Sequence, residues 1–172
     1  RLHYLVDNNF YFNVFEKYSD SDLVEITEYA KSINFQFASY MSASKFYKDY
    51  ALKTNDKQQY LEDYNQHVAI VSMYLANGDK DQAKQFISAM VEQRYQPATP
   101  TFLNAGRARR GELVSCFLLE VDDSLNSINF IDSTAKQLSK IGGGVAINLS
   151  KLRARGEAIK GIKGVAKGVL PV

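Results

Sequence analysis

Apolar positions recur at helical spacing through residues 1–93, and the pattern then changes to strand alternation. In SDSDLVEITEYAKSI (19–33), Leu23, Ile26, Ala30 and Ile33 lie three or four residues apart behind Ser and Asp capping candidates, which predicts an amphipathic helix. SASKFYKDYALK (42–53) predicts a short second helix with Phe46, Tyr47 and Tyr50 on one side. Residues 56–79 predict the clearest helix, with Leu61, Tyr64, Val68, Val71 and Leu75 on one face and Asn77-Gly78 as its stop. Residues 79–95 predict another at once, buried through Ala83, Phe86, Ile87 and Met90. QPATPTFLNAG (96–106) breaks the pattern, because Pro97 and Pro100 disfavour helix in the residues before them.

GELVSCFLLEV (111–121) then predicts a strand. Alternation puts Val114, Cys116 and Leu118 on one face and Leu113, Ser115, Phe117 and Leu119 on the other. Both faces are nearly apolar, so the strand is expected to be covered on both sides. DDSLNSINFIDSTAKQLSK (122–140) predicts a helix facing inward through Leu125, Ile128, Ile131, Ala135 and Leu138. IGGG breaks it, VAINL (145–149) is a strand, and a basic, Gly-studded segment follows. Strand, helix, strand is a βαβ crossover. The expected fold class is therefore α+β to α/β, with a helical domain over 1–93 and the start of an α/β domain over 94–172.

Composition narrows the function. Hydrophobic residues make up 45% and charged residues 23%, as in a soluble globular protein, and no apolar run reaches the length of a membrane span. A single cysteine excludes an internal disulfide framework and fits a reducing, cytoplasmic setting. His3, His67 and Cys116 offer no metal-ligand spacing. His67, among apolar neighbours, reads as a structural histidine, and the 11 tyrosines read as core and interface instead of a platform for nucleic-acid bases. The chain opens on Arg1 and stops at an apolar GVLPV, which suggests a segment of a longer chain.

The net charge of +2 hides an asymmetry: residues 1–93 hold 9 Lys/Arg against 13 Asp/Glu, and residues 94–172 hold 12 against 6. A basic second half is either a solvated surface or a place for an anion. Lys151, Arg153, Arg155, Lys160, Lys163 and Lys167 crowd one loop against Glu157 alone, and this density suits a polyphosphate better than a duplex. The Gly142–Gly144 run could bring backbone amides to an anion, but it lacks a P-loop ending and precedes a strand. Asp123 and Ser124 open a helix, either as plain N-caps or as amide and carboxylate ligands of a nucleotide. Arg109 and Arg110 stand too far along the chain from Cys116 to pair with its thiol, so spacing alone favours an inert core cysteine over a reactive one and leaves both readings open.

Wording adds what spacing does not. YQPATPTFLNAGRARRGELVSCFLLEVDDSLNSI (95–128), followed by QLSKIGGGVAINLSKLRARGEAIKG (137–161), resembles the large, catalytic subunit of class I ribonucleotide reductase, most closely its class Ib branch. YMSASKFYKDYALKTND (40–56) resembles it more loosely. The resemblance implies a helical domain followed by the first βαβ part of a ten-stranded α/β barrel. It implies reduction of ribonucleoside diphosphates to deoxyribonucleotides by radical chemistry, serving DNA replication. By the same resemblance Cys116 is one of two thiols that reduce substrate and form a redox-active disulfide. Thr99, Ser115, Cys116 and Gly144 would line the substrate site. Asp123 would hold the sugar of an allosteric effector (ATP or a deoxynucleoside triphosphate), with Ser124 beside it in the effector site and Arg153, Lys160 and the adjoining loop at its phosphates.

The implied partners are a small, metal-containing, radical-generating subunit, a thioredoxin- or glutaredoxin-type reductant and a second copy of the chain, with neither nucleic acid nor membrane. The segment itself would bind no metal or cofactor. The radical-forming cysteine and the second redox thiol lie outside these residues, so the resemblance implies no activity for 1–172 alone. A competing reading is a non-catalytic nucleotide-binding module of a split subunit.

Overall fold

The computed structural model describes residues 1–109 and 111–172, which form two compact units, 1–113 and 114–172. In the first unit the described helices are α1 (Leu2–Asp7), α2 (Asp20–Ser32), α3 (Tyr40–Lys45), α4 (Tyr64–Ala76), α5 (Lys80–Val91) and α6 (Thr99–Asn104). A 3-10 turn spans Val14–Glu16, and α3 runs on into a π turn, Phe46–Tyr50.

Helix α4 is the axis of this unit and packs on both α2 and α5. Val68, Ala69, Ile70, Val71 and Met73 are all buried, so α4 is enclosed nearly all round and is not the one-faced helix its periodicity suggested. The helix also begins later than the 56–79 pattern predicts. Asp63 accepts from the Gln66 amide and Gln66 answers on the Asp63 amide, a capping box that fixes the first turn at Tyr64. The residues before it instead form an antiparallel bridge between Lys53 and Tyr60. Asn77, in the left-handed region at φ 47°, ends the helix as expected. Ser19 caps α2 with a second box through Asp22, and Leu23, Ile26 and Ala30 form its buried stripe.

Most aromatic residues of the helical unit pack in or against its core, as their spacing suggested, although Tyr4, Tyr40, Tyr60 and Tyr95 are exposed. Phe35 stacks on Tyr64 at 3.8 Å between ring centroids, Phe46 meets Tyr64 edge-on at 5.3 Å, and His67 meets Phe102 edge-on at 4.4 Å.

Two expectations change at the prolines. Residues 99–104 are helical, because Pro100 falls in the first turn of α6, where a missing N–H leaves no intrahelical bond unmade. Phe102 and Ala105 are buried in the helical core, which ties this stretch to the first unit. The compact units accordingly divide between Leu113 and Val114, whereas the change of texture lies at 93/94.

The second unit is the βαβ crossover. Strands β1 (Cys116–Glu120) and β2 (Gly144–Asn148) pair in parallel, with Cys116 opposite Gly144 and Glu120 opposite Asn148. Helix α7 (Leu125–Lys140) connects them and packs on both. It covers one face only. Phe117 and Leu119 are half-buried, while Cys116 and Leu118 on the other face are exposed, Leu118 at 87%. The expected cover on both sides is therefore absent among the described residues. Of the inward stripe expected on α7, Ile131 is buried, Ile128, Ala135 and Leu138 are half-buried, and Leu125 is exposed.

Candidate functional site

The pairing register sets Cys116 beside the glycine run. Cys116 and Gly144 are Cα partners across the two strands, and the Gly144 amide donates to the Ser115 carbonyl at 2.6 Å. Ser115, Cys116 and Gly144 are thereby brought together. The glycines serve the turn from α7 into β2. Gly142 has φ 89°, and a Cβ on Gly143 would fall 2.5 Å from the Phe117 ring and 2.9 Å from the Leu138 carbonyl oxygen. The amides of Gly142, Gly143 and Gly144 donate to Ser139, Leu138 and Ser115. The expectation of free amides for an anion therefore fails: the run closes a helix and starts a strand, and both tasks use those donors.

Thr99 lies in the first unit, as the first residue of α6 instead of on a loop, with its Oγ1 3.3 Å from the Tyr50 hydroxyl. Arg109 is exposed, and Arg110 lies outside the described residues.

Asp123, Ser124 and Arg153 meet in a cleft of about 280 Å³ at the start of α7, whose wall continues through Leu152, Ile159 and Lys167. Ser124 is the N-cap, its Oγ accepting from the Ser127 amide. The Asp123 carboxylate caps nothing and instead receives Arg153 Nε at 2.7 Å, while Arg153 Nη1 donates to the Ala158 carbonyl at 3.1 Å. Lys151 is drawn aside by Glu120 (3.0 Å) and Asp122 (3.1 Å), and its bond to Glu120 and then that to Asp122 raise its pKa.

Lys160 is not in the cleft wall. It sits at a two-residue hairpin tip, where Lys160 and Gly161 both have positive φ and Ile159 and Ile162 exchange backbone bonds. Among the described residues Arg155, Lys160, Lys163 and Lys167 take part in no ion pair, so they are the cations of this loop left for an anionic ligand.

One polar cluster is joined by no local sequence pattern, and it is the most buried among the described residues. Glu62 Oε1 receives Arg107 Nη2 at 2.5 Å, the Leu52 amide at 2.7 Å and His67 Nδ1 at 2.8 Å, and Glu62 Oε2 receives the Tyr11 hydroxyl. His67 Nε2 lies 2.7 Å from the Phe102 carbonyl, which only accepts, so Nε2 carries a proton. Burial opposes charge on Glu62, but the bond and charge of His67 and those of Arg107 outweigh it and hold the carboxyl down to about 2. Burial, then the neighbouring Glu62 charge, pushes the Tyr11 phenol up. An apolar helix carrying His67 was a signal that a partner exists. Glu62 and Arg107 are 45 residues apart, and no local pattern joins them.

The second unit thus offers a thiol on a strand beside a glycine and a basic cleft at a helix start, and the first unit offers a hydroxyl on a short helix. Among the described residues no group of three His, Cys, Asp or Glu side chains could hold a metal ion. None of the described helices is long and apolar enough to cross a membrane.

Known proteins share this order of parts. The chain is 56% identical, over its whole length, to the ribonucleoside-diphosphate reductase subunit alpha of Bacillus subtilis, of which it spans 25%. It is 44% identical, again over its whole length, to the subunit of the same name from Mycoplasma pneumoniae, of which it spans 24%. The chain therefore covers about a quarter of the length of these relatives. Its fold is similar to that of the Actinobacillus ureae class Id ribonucleotide reductase alpha subunit, with a TM-score of 0.59, 23% identity, and cover of 77% of this chain and 24% of that one. Residues 36–110 match the family described as the all-alpha domain of ribonucleotide reductase, and residues 114–172 match its barrel domain. Both domains in their expected order, with relatives of this identity, mean that the chain belongs to the family of ribonucleotide reductase large subunits.

Proposed function

We propose that these residues act within a ribonucleoside-diphosphate reductase large subunit, the reading carried by the consecutive matches to its all-alpha and barrel domains. Replacing a ribose 2′-hydroxyl with hydrogen takes two electrons, and the hydroxyl departs as water. Two thiols supply the electrons and become a disulfide. Cys116 is one of them, and its partner comes from outside these 172 residues, since the chain holds one cysteine. Ser115 and Gly144 flank the thiol and, with Thr99, contact the substrate. In support, the Cys116–Gly144 register places a residue without a side chain next to the sulfur, where a nucleotide can approach.

The cleft around Asp123 and Ser124 takes the sugar of an effector nucleotide (ATP or a deoxynucleoside triphosphate). Arg153 and the loop through Lys160 and Lys167 take its phosphates. The Asp123–Arg153 pair supports this reading, because it holds a guanidinium in the cleft wall while leaving carboxylate oxygen for ribose hydroxyls. The intact protein works in the cytoplasm as a homodimer, with a separate radical-generating subunit and a thioredoxin- or glutaredoxin-type reductant.

The full-length protein, mixed with its radical-generating subunit and a dithiol, should convert ribonucleoside diphosphates to deoxyribonucleoside diphosphates. Failure to do so with an active radical subunit would overturn the reading. Asp123→Ala should weaken the half-maximal effector concentration by about tenfold, the scale of one charge-assisted hydrogen bond, while effector-independent turnover stays within about twofold. An unchanged effector constant would remove Asp123 from the effector site.

A further inference from the structure

We propose that Tyr50 is a positioning residue for Thr99, orienting the Thr99 hydroxyl toward the substrate phosphate through a hydrogen bond; this rests on the reading that Thr99 contacts substrate. The two hydroxyl oxygens are 3.3 Å apart and either could donate. A phosphate oxygen only accepts, so a Thr99 hydroxyl that serves it gives its proton to the phosphate and keeps its lone pairs free to accept one from a neighbour. The Tyr50 hydroxyl is a neighbour within reach. The relay then runs from Tyr50 O–H to Thr99 Oγ1 and from Thr99 O–H to phosphate, and each bond polarises the next.

What holds Tyr50 in place is the buried Glu62 cluster. The Tyr50 carbonyl accepts from Arg107 Nη2 at 3.0 Å, and the same nitrogen is held by Glu62. The Tyr50 ring rests on Phe102 at 5.4 Å between centroids. Phe102 belongs to the same short helix as Thr99, and its carbonyl receives His67 Nε2. One buried carboxylate therefore grips both sides of the relay, through Arg107 to Tyr50 and through His67 to α6. Tyr50 also ends the π turn, in which the Ala51 amide reaches back to the Phe46 carbonyl, a widened turn of the kind often found at functional positions. Thr99 needs such support because α6 has only six residues and no side-chain cap.

The test is a double-substitution cycle in the full-length enzyme with its radical subunit, measuring KM for a ribonucleoside diphosphate and kcat at saturating effector. Thr99→Val should raise KM by about tenfold, and Tyr50→Phe, which keeps the ring contact with Phe102, by about threefold with kcat within about twofold. Tyr50→Phe in the Thr99→Val background should raise KM no further, since the relay has already lost its end. If Thr99→Val raises KM while Tyr50→Phe leaves it unchanged, the positioning role is wrong and the substrate reading of Thr99 stands. Multiplying effects in the double variant, or a fall in kcat alone, would mark Tyr50 as merely structural. An unchanged KM in Thr99→Val removes Thr99 from the substrate site and this inference with it.

Discussion

Cys116→Ser in the full-length protein should abolish multiple turnover with a dithiol reductant, lowering kcat on the order of a thousandfold or more, and leave effector binding intact. The substitution exchanges sulfur for oxygen with little change of shape, and the side chain lies on the open face of β1, away from α7. The fold should therefore tolerate it. On the proposed reading the two thiols hold the electrons and give them up as they close to a disulfide; a hydroxyl cannot join that bond, so reduction of the substrate stops for want of an electron pair. The specific signature is the combination: effector binding near the wild-type value, measured by equilibrium dialysis, beside absent turnover. Normal turnover in this variant would end the redox assignment and leave Cys116 an exposed thiol on β1, not the core residue its spacing suggested.

The second large effect concerns stability. Glu62→Ala should destabilise the helical unit by about 3–5 kcal/mol, the cost of leaving a buried charge without its partner, read from urea or thermal unfolding. Arg107, His67 and Tyr11 would all lose an acceptor in a place where water does not reach, and Arg107 Nη1 already has no partner among the described residues. Glu62→Gln, which keeps the shape, should lose less.

The same carboxyl predicts a pH dependence. Its folded pKa, about 2, is below its ordinary value of 4.5. Its contribution is thus complete above about pH 4.5 and is lost as the pH falls through 2, amounting to about 3 kcal/mol at roughly 1.4 kcal/mol per unit. Stability curves of the wild type and Glu62→Gln should converge on acidification. Parallel curves down to pH 2 would show that Glu62 is not the group responsible.

How far the sequence reaches differs from element to element. Helices α2 and α5 are legible in it because each buries one stripe and carries its own polar start, Ser19 and Asp79. The crossover is legible because a strand, a helix and a strand in a row have one favoured way to pack. The start of α4 is not, since the apolar spacing runs on through Leu61 while the Asp63–Gln66 box and the inward turn of Glu62 decide where the helix begins. The fate of the glycine run is hidden too. Three glycines permit both an anion cradle and a helix-to-strand turn, and the position of Phe117 across the sheet selects the second.

The family, the order of helical unit and βαβ unit, and the residue types at the thiol and the basic loop can all be read along the chain, because these are matters of local spacing and wording. Which of those residues meet follows from packing. It paired Asp123 with Arg153 and left Lys160 on a hairpin tip. It set Cys116 against Gly144 on an open sheet face, and it gathered Tyr11, Glu62, His67 and Arg107 behind Tyr50 and Thr99. The reason is physical: a buried charge must find its partner wherever the packed chain brings one, and that distance is measured through space, not along the sequence.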